Sequence, residues 1–116
     1  MRLAKKQAFI RRKAKENLTD PEGKCILWSR HAIVELVADN LTRRSVEQAL
    51  CNVEIIEDYP VKNRPLPDCL ALGWLEDQQP IHVVVAIDED KDRILVVTVY
   101  LPSLEEWQDD WRTRRK

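Results

Sequence analysis

His31 and His82 are the only histidines in this 116-residue chain, and histidine is the side chain whose ordinary pKa suits proton transfer near neutral pH. Each also has a plainer reading. His31 stands two residues after Ser29 at a helix start, where it can cap or bond locally, and His82 lies in an apolar strand, where it can be a satisfied core residue. Tyr100, at the end of the following strand, can donate a hydrogen bond or stack. Arg30, Arg43, Arg44, Lys62 and Arg64 are cations suited to holding a phosphate. Arg43 and Arg44 open a helix, where the macrodipole favours acids by about 0.3–1 kcal/mol per charge. Neutral surface variation explains that pair as well as a functional role does. Cys25, Cys51 and Cys69 have no CxxC spacing, so they read as small core residues and imply neither a metal nor a disulfide framework; no cofactor is expected.

The strands that carry His82 and Tyr100 form the clearest element. Residues 81–87 and 94–101 are β-branched or aliphatic runs around the charged loop 88–93, which predicts a hairpin covered on both faces. Register decides whether His82 and Tyr100 meet. If Asp88 pairs with Arg93, His82 opposes Val99 and lies on the other face from Tyr100; a slip of one residue puts the two directly opposite. The unslipped register makes at least one of them structural.

The other elements follow from caps and breakers. Residues 2–17 read as a basic helix with a loose apolar stripe, either a solvated or partly docked extension or an arm that contacts nucleic acid or an acidic partner, ended by Thr19, Asp20, Pro21 and Gly23. This places a helical extension at 1–23 and a compact domain at 24–116. A short strand at 25–28 leads to Ser29, an N-cap for a helix to about Asp39 in which Ile33, Leu36 and Val37 share the buried face, with Asn40 in the left-handed position. Thr42 caps a second helix that buries Val46, Ala49 and Leu50, completing a helical hairpin. Residues 53–59 and 69–75 read as strands joined by a cationic, proline-stiffened loop. Ser103 with Glu106 forms a capping box for a C-terminal helix with Leu104, Trp107 and Trp111 at helical spacing, whose tryptophans pack on the sheet rather than stack on a base. The whole predicts an α+β domain: a twisted antiparallel sheet of about four strands with a helical hairpin and a C-terminal helix on it.

Composition narrows the class further. Hydrophobic residues at 44% and charged residues at 34% suit a single soluble domain, and no apolar run approaches the roughly 20 residues of a membrane span. The N-terminus is cationic like the start of a signal peptide but lacks the apolar stretch that would follow, which places the protein in the cytoplasm. Net charge is −1, yet residues 1–44 hold eleven basic against five acidic side chains, and residues 45–110 hold four against fifteen. A polyanion would therefore be held by the termini or a local patch.

SRHA at 29–32, LTRRSVEQAL at 41–50, EIIEDYP at 54–60, LALGW at 70–74, PIHVVVAID at 80–88 and VTVYLPSLEEW at 97–107, in this order, resemble a bacterial family of small domains of unknown function grouped with RelE- and MqsR-type toxins. The resemblance covers roughly residues 25–115. It implies a RelE-like fold, cleavage of messenger RNA as the toxin of a toxin–antitoxin pair, and a small antitoxin, sometimes of the zinc-ribbon type, as partner, with RNA or the ribosome as target. Two features depart from the pattern: the helix after His31 lacks an arginine, and Arg43 and Arg44 stand where acids are usual. In such chemistry a base takes the 2′-hydroxyl proton, an acid protonates the leaving 5′-oxygen, and cations hold the phosphate. His31, His82 and Tyr100 are the candidate catalytic groups; Arg30, Arg43, Arg44, Lys62 and Arg64 are the candidate phosphate ligands. A non-catalytic protein- or RNA-binding module of the same fold is the competing class, favoured by the acidic middle of the chain.

Overall fold

The apolar hairpin occupies the centre of the sheet. In the computed structural model, which describes residues 1–59 and 65–116, the elements in chain order are α1 (Leu3–Thr19), β1 (Ile26–Trp28), α2 (Arg30–Ala38), α3 (Arg43–Leu50), β2 (Glu54–Tyr59), β3 (Asp68–Trp74), β4 (Pro80–Asp88) and β5 (Arg93–Tyr100). Lys62 and Arg64 lie outside the described residues. The strands form one open sheet in the order β1-β5-β4-β3-β2. β2 to β5 are antiparallel neighbours, as their short connections require. β1 is not joined directly to β5 and pairs with it in parallel, Ile26 opposite Ile94. The sheet thus has five strands and is mixed, where about four antiparallel strands were expected; the inference from short connections does not extend to a strand that reaches its neighbour through two helices and three strands.

The local caps form as the sequence indicates. Ser29 accepts from Ala32 N at 3.0 Å, Thr42 accepts from Ser45 N at 3.1 Å, and Asn40 takes φ 56° between the two helices. One face of the sheet, through Ile81, Val83, Val85, Ile94, Val96 and Val99, packs with Phe9, Ile10, Ala14, Leu36, Val46 and Leu50 from all three helices in the main core. Val37 departs from expectation: it is 73% exposed, because Ala32 and Leu36 set the buried face of α2 and the next residue turns about 100° away.

Helical side chains continue the hydrogen bonding where strands stop. Beyond Val96, β5 is served by α2: Ser29 Oγ donates to Val97 O at 2.8 Å, and Glu35 Oε1 accepts from Val99 N at 3.1 Å. At the other edge, α1 serves β2: Arg11 Nε donates to Val53 O at 2.8 Å, and Gln7 Oε1 accepts from Ile55 N at 2.9 Å. α1 also buries Lys6 against Asp58 and Lys13 against Asp92 of the hairpin tip, so it packs as part of the core and the charged tip has a structural partner.

The predicted C-terminal helix is absent. After Pro102 a single turn forms, in which Ser103 O accepts from Glu106 N and Trp107 N, and the chain then folds into a small hairpin with Trp107 opposite Arg114. Asp110 causes the reversal: its carboxylate accepts from Arg112 N, Thr113 N and Thr113 Oγ1, local bonds that compete with helical ones. Trp111 sits at φ 61° within the same turn. This strap lies over the helix-free face of the sheet.

Candidate functional site on the helix-free sheet face

The site begins with a β-bulge. The β4–β5 ladder starts with Asp88 opposite Arg93 and runs to Val85 opposite Val96, but the next pair is Val84 with Thr98, so Val97 is the extra residue on β5. The shift of one brings His82 directly opposite Tyr100 on the helix-free face.

His82 is fully buried there. Its Nε2 lies 2.8 Å from Trp111 O, which can only accept, so Nε2 carries the proton and Nδ1 accepts from Tyr100 OH at 3.0 Å. The rings of Trp107 and Tyr100 meet it edge-on, with centroids at 4.4 and 5.2 Å. Burial holds the His82 pKa below the usual imidazole value; the Trp111 carbonyl opposes this, and the Arg114 charge adds to it. With both ring nitrogens engaged and no exposed surface, His82 has the geometry of an anchor for the strap. Leu72, its cross-strand neighbour, and Leu70 are buried on the same face, which makes a second small core beneath Trp107.

The exposed chemistry lies beside this anchor. Arg114 forks onto Glu57, Nε to Oε2 at 2.6 Å and Nη2 to Oε1 at 3.0 Å, and Tyr59 OH donates to Glu57 Oε1 at 2.7 Å. The Arg114 guanidinium sits 4.6 Å from the Trp107 ring centroid. Arg114 first, with Tyr59 helping against the opposing effect of burial, lowers the Glu57 pKa below the usual carboxylate value. Burial and then Glu57 push the Tyr59 hydroxyl up to about 12, and burial raises that of Tyr100. The pairing with Glu57 raises the Arg114 pKa, so the arginine stays charged. Arg112 makes a parallel fork onto Glu54, a carboxylate more exposed than Glu57.

The remaining sequence candidates lie elsewhere. His31 is on α2, 69% exposed, with Nε2 at 3.4 Å from Glu35 Oε1. Arg30 is exposed beside it. Arg43 stacks over Trp28 at 5.5 Å, and the Trp28 Nε1 donates to Glu47, which accounts structurally for a cation at this helix start. Arg44 lines an open groove of about 690 Å³ with Gln48, Leu75, Glu76 and Asp77. The structure therefore joins His82 with Tyr100 and leaves His31 and the helix arginines apart from them. Cys69 is buried and its thiol is pushed up to about 12 by burial, which unsuits it as a nucleophile. No cluster of three or more His, Cys, Asp or Glu that could hold a metal occurs among the described residues, and no described helix is long and apolar enough to cross a membrane. The sequence offered one weak sign of Glu57 and Tyr59, two polar side chains that share a strand face in EIIEDY. Nothing local marked Arg114 as their partner.

Comparison with known families bears on the same residues. The model of a domain of unknown function, DUF4258, matches residues 28–101. The chain belongs to the DUF4258 family. No curated protein and no solved structure matches it. The DUF4258 match takes in Glu57, Tyr59, His82 and Tyr100, whereas α1 and the strap with Trp107, Trp111 and Arg114 fall outside it. The site thus combines side chains of the DUF4258 domain with a segment that follows it.

Proposed function

We propose that this chain is a RelE-like toxin of a bacterial toxin–antitoxin pair that cleaves messenger RNA by metal-independent chemistry on the helix-free face of its sheet. The observation that carries this reading is the Glu57–Arg114–Tyr59 cluster: an ionised carboxylate, a fixed guanidinium and a phenol on a partly exposed face beside Tyr100. The resemblance to RelE-type toxins supplies the reaction class. In it, Glu57 takes the proton from a 2′-hydroxyl as that oxygen attacks the adjacent phosphorus. Arg114, released from Glu57 as the carboxylate is protonated, holds the charge that grows on the phosphoryl oxygens. A tyrosine hydroxyl protonates the departing 5′-oxygen, leaving a 2′,3′-cyclic phosphate and a free 5′-hydroxyl. A phenol remains a stronger acid than the departing alcohol, so it can give up the proton. His82 keeps the strap, and with it Arg114, in position. The small antitoxin is the partner this reading implies.

Induced expression without a partner tests it. Growth arrest with cleaved transcripts is expected from the natural chain and not from Glu57→Gln or Arg114→Gln. Arrest that persists in both variants refutes the assignment. A second reading, a non-catalytic RNA- or protein-binding module, is favoured by the full occupancy of both His82 nitrogens and by the pairing of Arg112 and Arg114 with acids. Under it, transcripts stay intact while a co-expressed neighbour or RNA is retained on purification.

A further inference from the structure

The cations of α1 and its N-cap divide into two sets. Lys6 bonds Asp58, Lys13 bonds Asp92 and Glu16, and Arg11 bonds the Val53 carbonyl, all as parts of the packed structure. Arg2, Lys5, Arg12 and Lys15 are exposed. Arg2, Lys5 and Lys15 have no acidic partner among the described residues, and Arg12 lies 4.0 Å from Glu16 and stacks over the Phe9 ring at 5.2 Å. With about 100° between successive residues, Lys5, Arg12 and Lys15 fall on one outward stripe with Met1 and Ala8, and Arg2 stands at its end. The stripe spans about 15 Å from Lys5 to Lys15 at about 1.5 Å per residue, long enough for successive phosphates of one strand to meet its cations. The acids at its border are Glu16 and, across a shallow groove of about 490 Å³, Glu89 and Asp92, of which Asp92 is already engaged by Lys13.

We infer that this face of α1 grips the phosphate backbone of RNA, adding a second contact surface to the DUF4258 domain, whose match begins after the helix ends. The inference rests on RNA being the substrate. An anionic lipid surface is the poorer fit, because Phe9, Ile10 and Ala14 are turned into the core and Met1, at the end of the stripe, is the one large apolar side chain on it. Backbone gripping is insensitive to base sequence and strongly dependent on salt.

The test measures binding of the full chain to a 2′-O-methyl RNA of about twelve nucleotides, which cannot be cut through its 2′-oxygen, across a salt series. Each phosphate contact to a single strand contributes about −0.7 to the slope of log K against log salt. Replacing Arg2, Lys5, Arg12 and Lys15 by Gln, all exposed positions, should flatten the slope by about 2–3 and weaken low-salt binding about tenfold or more, with circular dichroism unchanged. The control Lys24→Gln with Lys91→Gln should leave the slope as it was. An unchanged slope in the fourfold variant overturns the inference, and if growth arrest persists the cleavage reading survives it. A flattened slope in a protein that leaves transcripts intact keeps the inference and refutes cleavage. Charge-dependent binding to phosphatidylserine vesicles in place of RNA overturns it in favour of a membrane surface.

Discussion

Replacing His82 by Ala removes the anchor between the sheet and the strap, and its effect can be worked out from the contacts. Two hydrogen bonds disappear, to Tyr100 and to the Trp111 carbonyl, each worth about 0.5–1.5 kcal/mol. The fully buried ring leaves a hole beside Trp107, and emptying a core site of this size costs about 2–5 kcal/mol. Partial collapse of the strap into the hole offsets some of the loss, so a net destabilisation of about 3–5 kcal/mol is expected, a large share of the roughly 5–15 kcal/mol that stabilises a domain. The same residue sets a pH dependence. Burial keeps the folded pKa below the ordinary imidazole value, so the unfolded chain binds the proton first. The contribution of His82 is complete above the unfolded pKa and is lost as pH falls from there through the folded pKa. Urea unfolding at a series of pH values from about 8 to about 5 measures both effects. The natural chain should weaken across that window by more than His82→Ala does, and the gap between the two curves should narrow toward acid. A variant within about 1 kcal/mol of the natural chain at the alkaline end, or a gap that does not change with pH, refutes the anchor.

Other perturbations separate the parts of the molecule. Trp107→Ala, at a site 1% exposed, should cost about 3–5 kcal/mol and admit trypsin at Arg112, Arg114 and Arg115 under native conditions, read as a C-terminal trim by mass spectrometry. Gly73→Val should destabilise by about 1–3 kcal/mol in denaturant titration, because even a Cβ there stands 3.2 Å from a Val53 methyl and 3.3 Å from Ala49 Cβ. Glu54→Gln, which loosens the half-exposed pair with Arg112, should change stability by no more than about 1 kcal/mol. A larger change would mean that Arg112 holds the strap as firmly as His82 does.

What was legible in the sequence depended on the range of the interactions that decide it. The caps at Ser29 and Thr42, the left-handed Asn40 and the β4–β5 hairpin are settled within a few residues, and they appear where the pattern places them. The bulge at Val97 is a different matter. Pairing from the loop upward correctly matches Asp88 with Arg93, but the extra residue is visible only when the far ends of both strands must meet α2 and the strap. The tail satisfied a capping pattern at Ser103 and Glu106, yet the Asp110 turn and the pull of Glu54 and Glu57 on Arg112 and Arg114 outweighed it. For the same reason the site was half visible: His82 and Tyr100 stand out as polar residues in an apolar hairpin, whereas the partnership of Glu57 with Arg114 joins positions far apart in the chain.

The bonds from Gln7 and Arg11 to β2 also concern how the protein behaves among copies of itself. An open strand edge is a template for another strand, and fibrils grow by such docking. Ser29 and Glu35 shield β5 beyond the short β1, and α1 shields β2 at Val53 and Ile55. A fragment trimmed to residues 28–101 would keep Ser29 and Glu35 but lose α1, and with Ile26 and Leu27 it would also lose most of β1 from the β5 edge. Its β2 edge, and β5 at Ile94 and Leu95, would then be free to recruit a neighbour, and self-association into sheets, not simple loss of folding, is the expected fate of the trimmed domain.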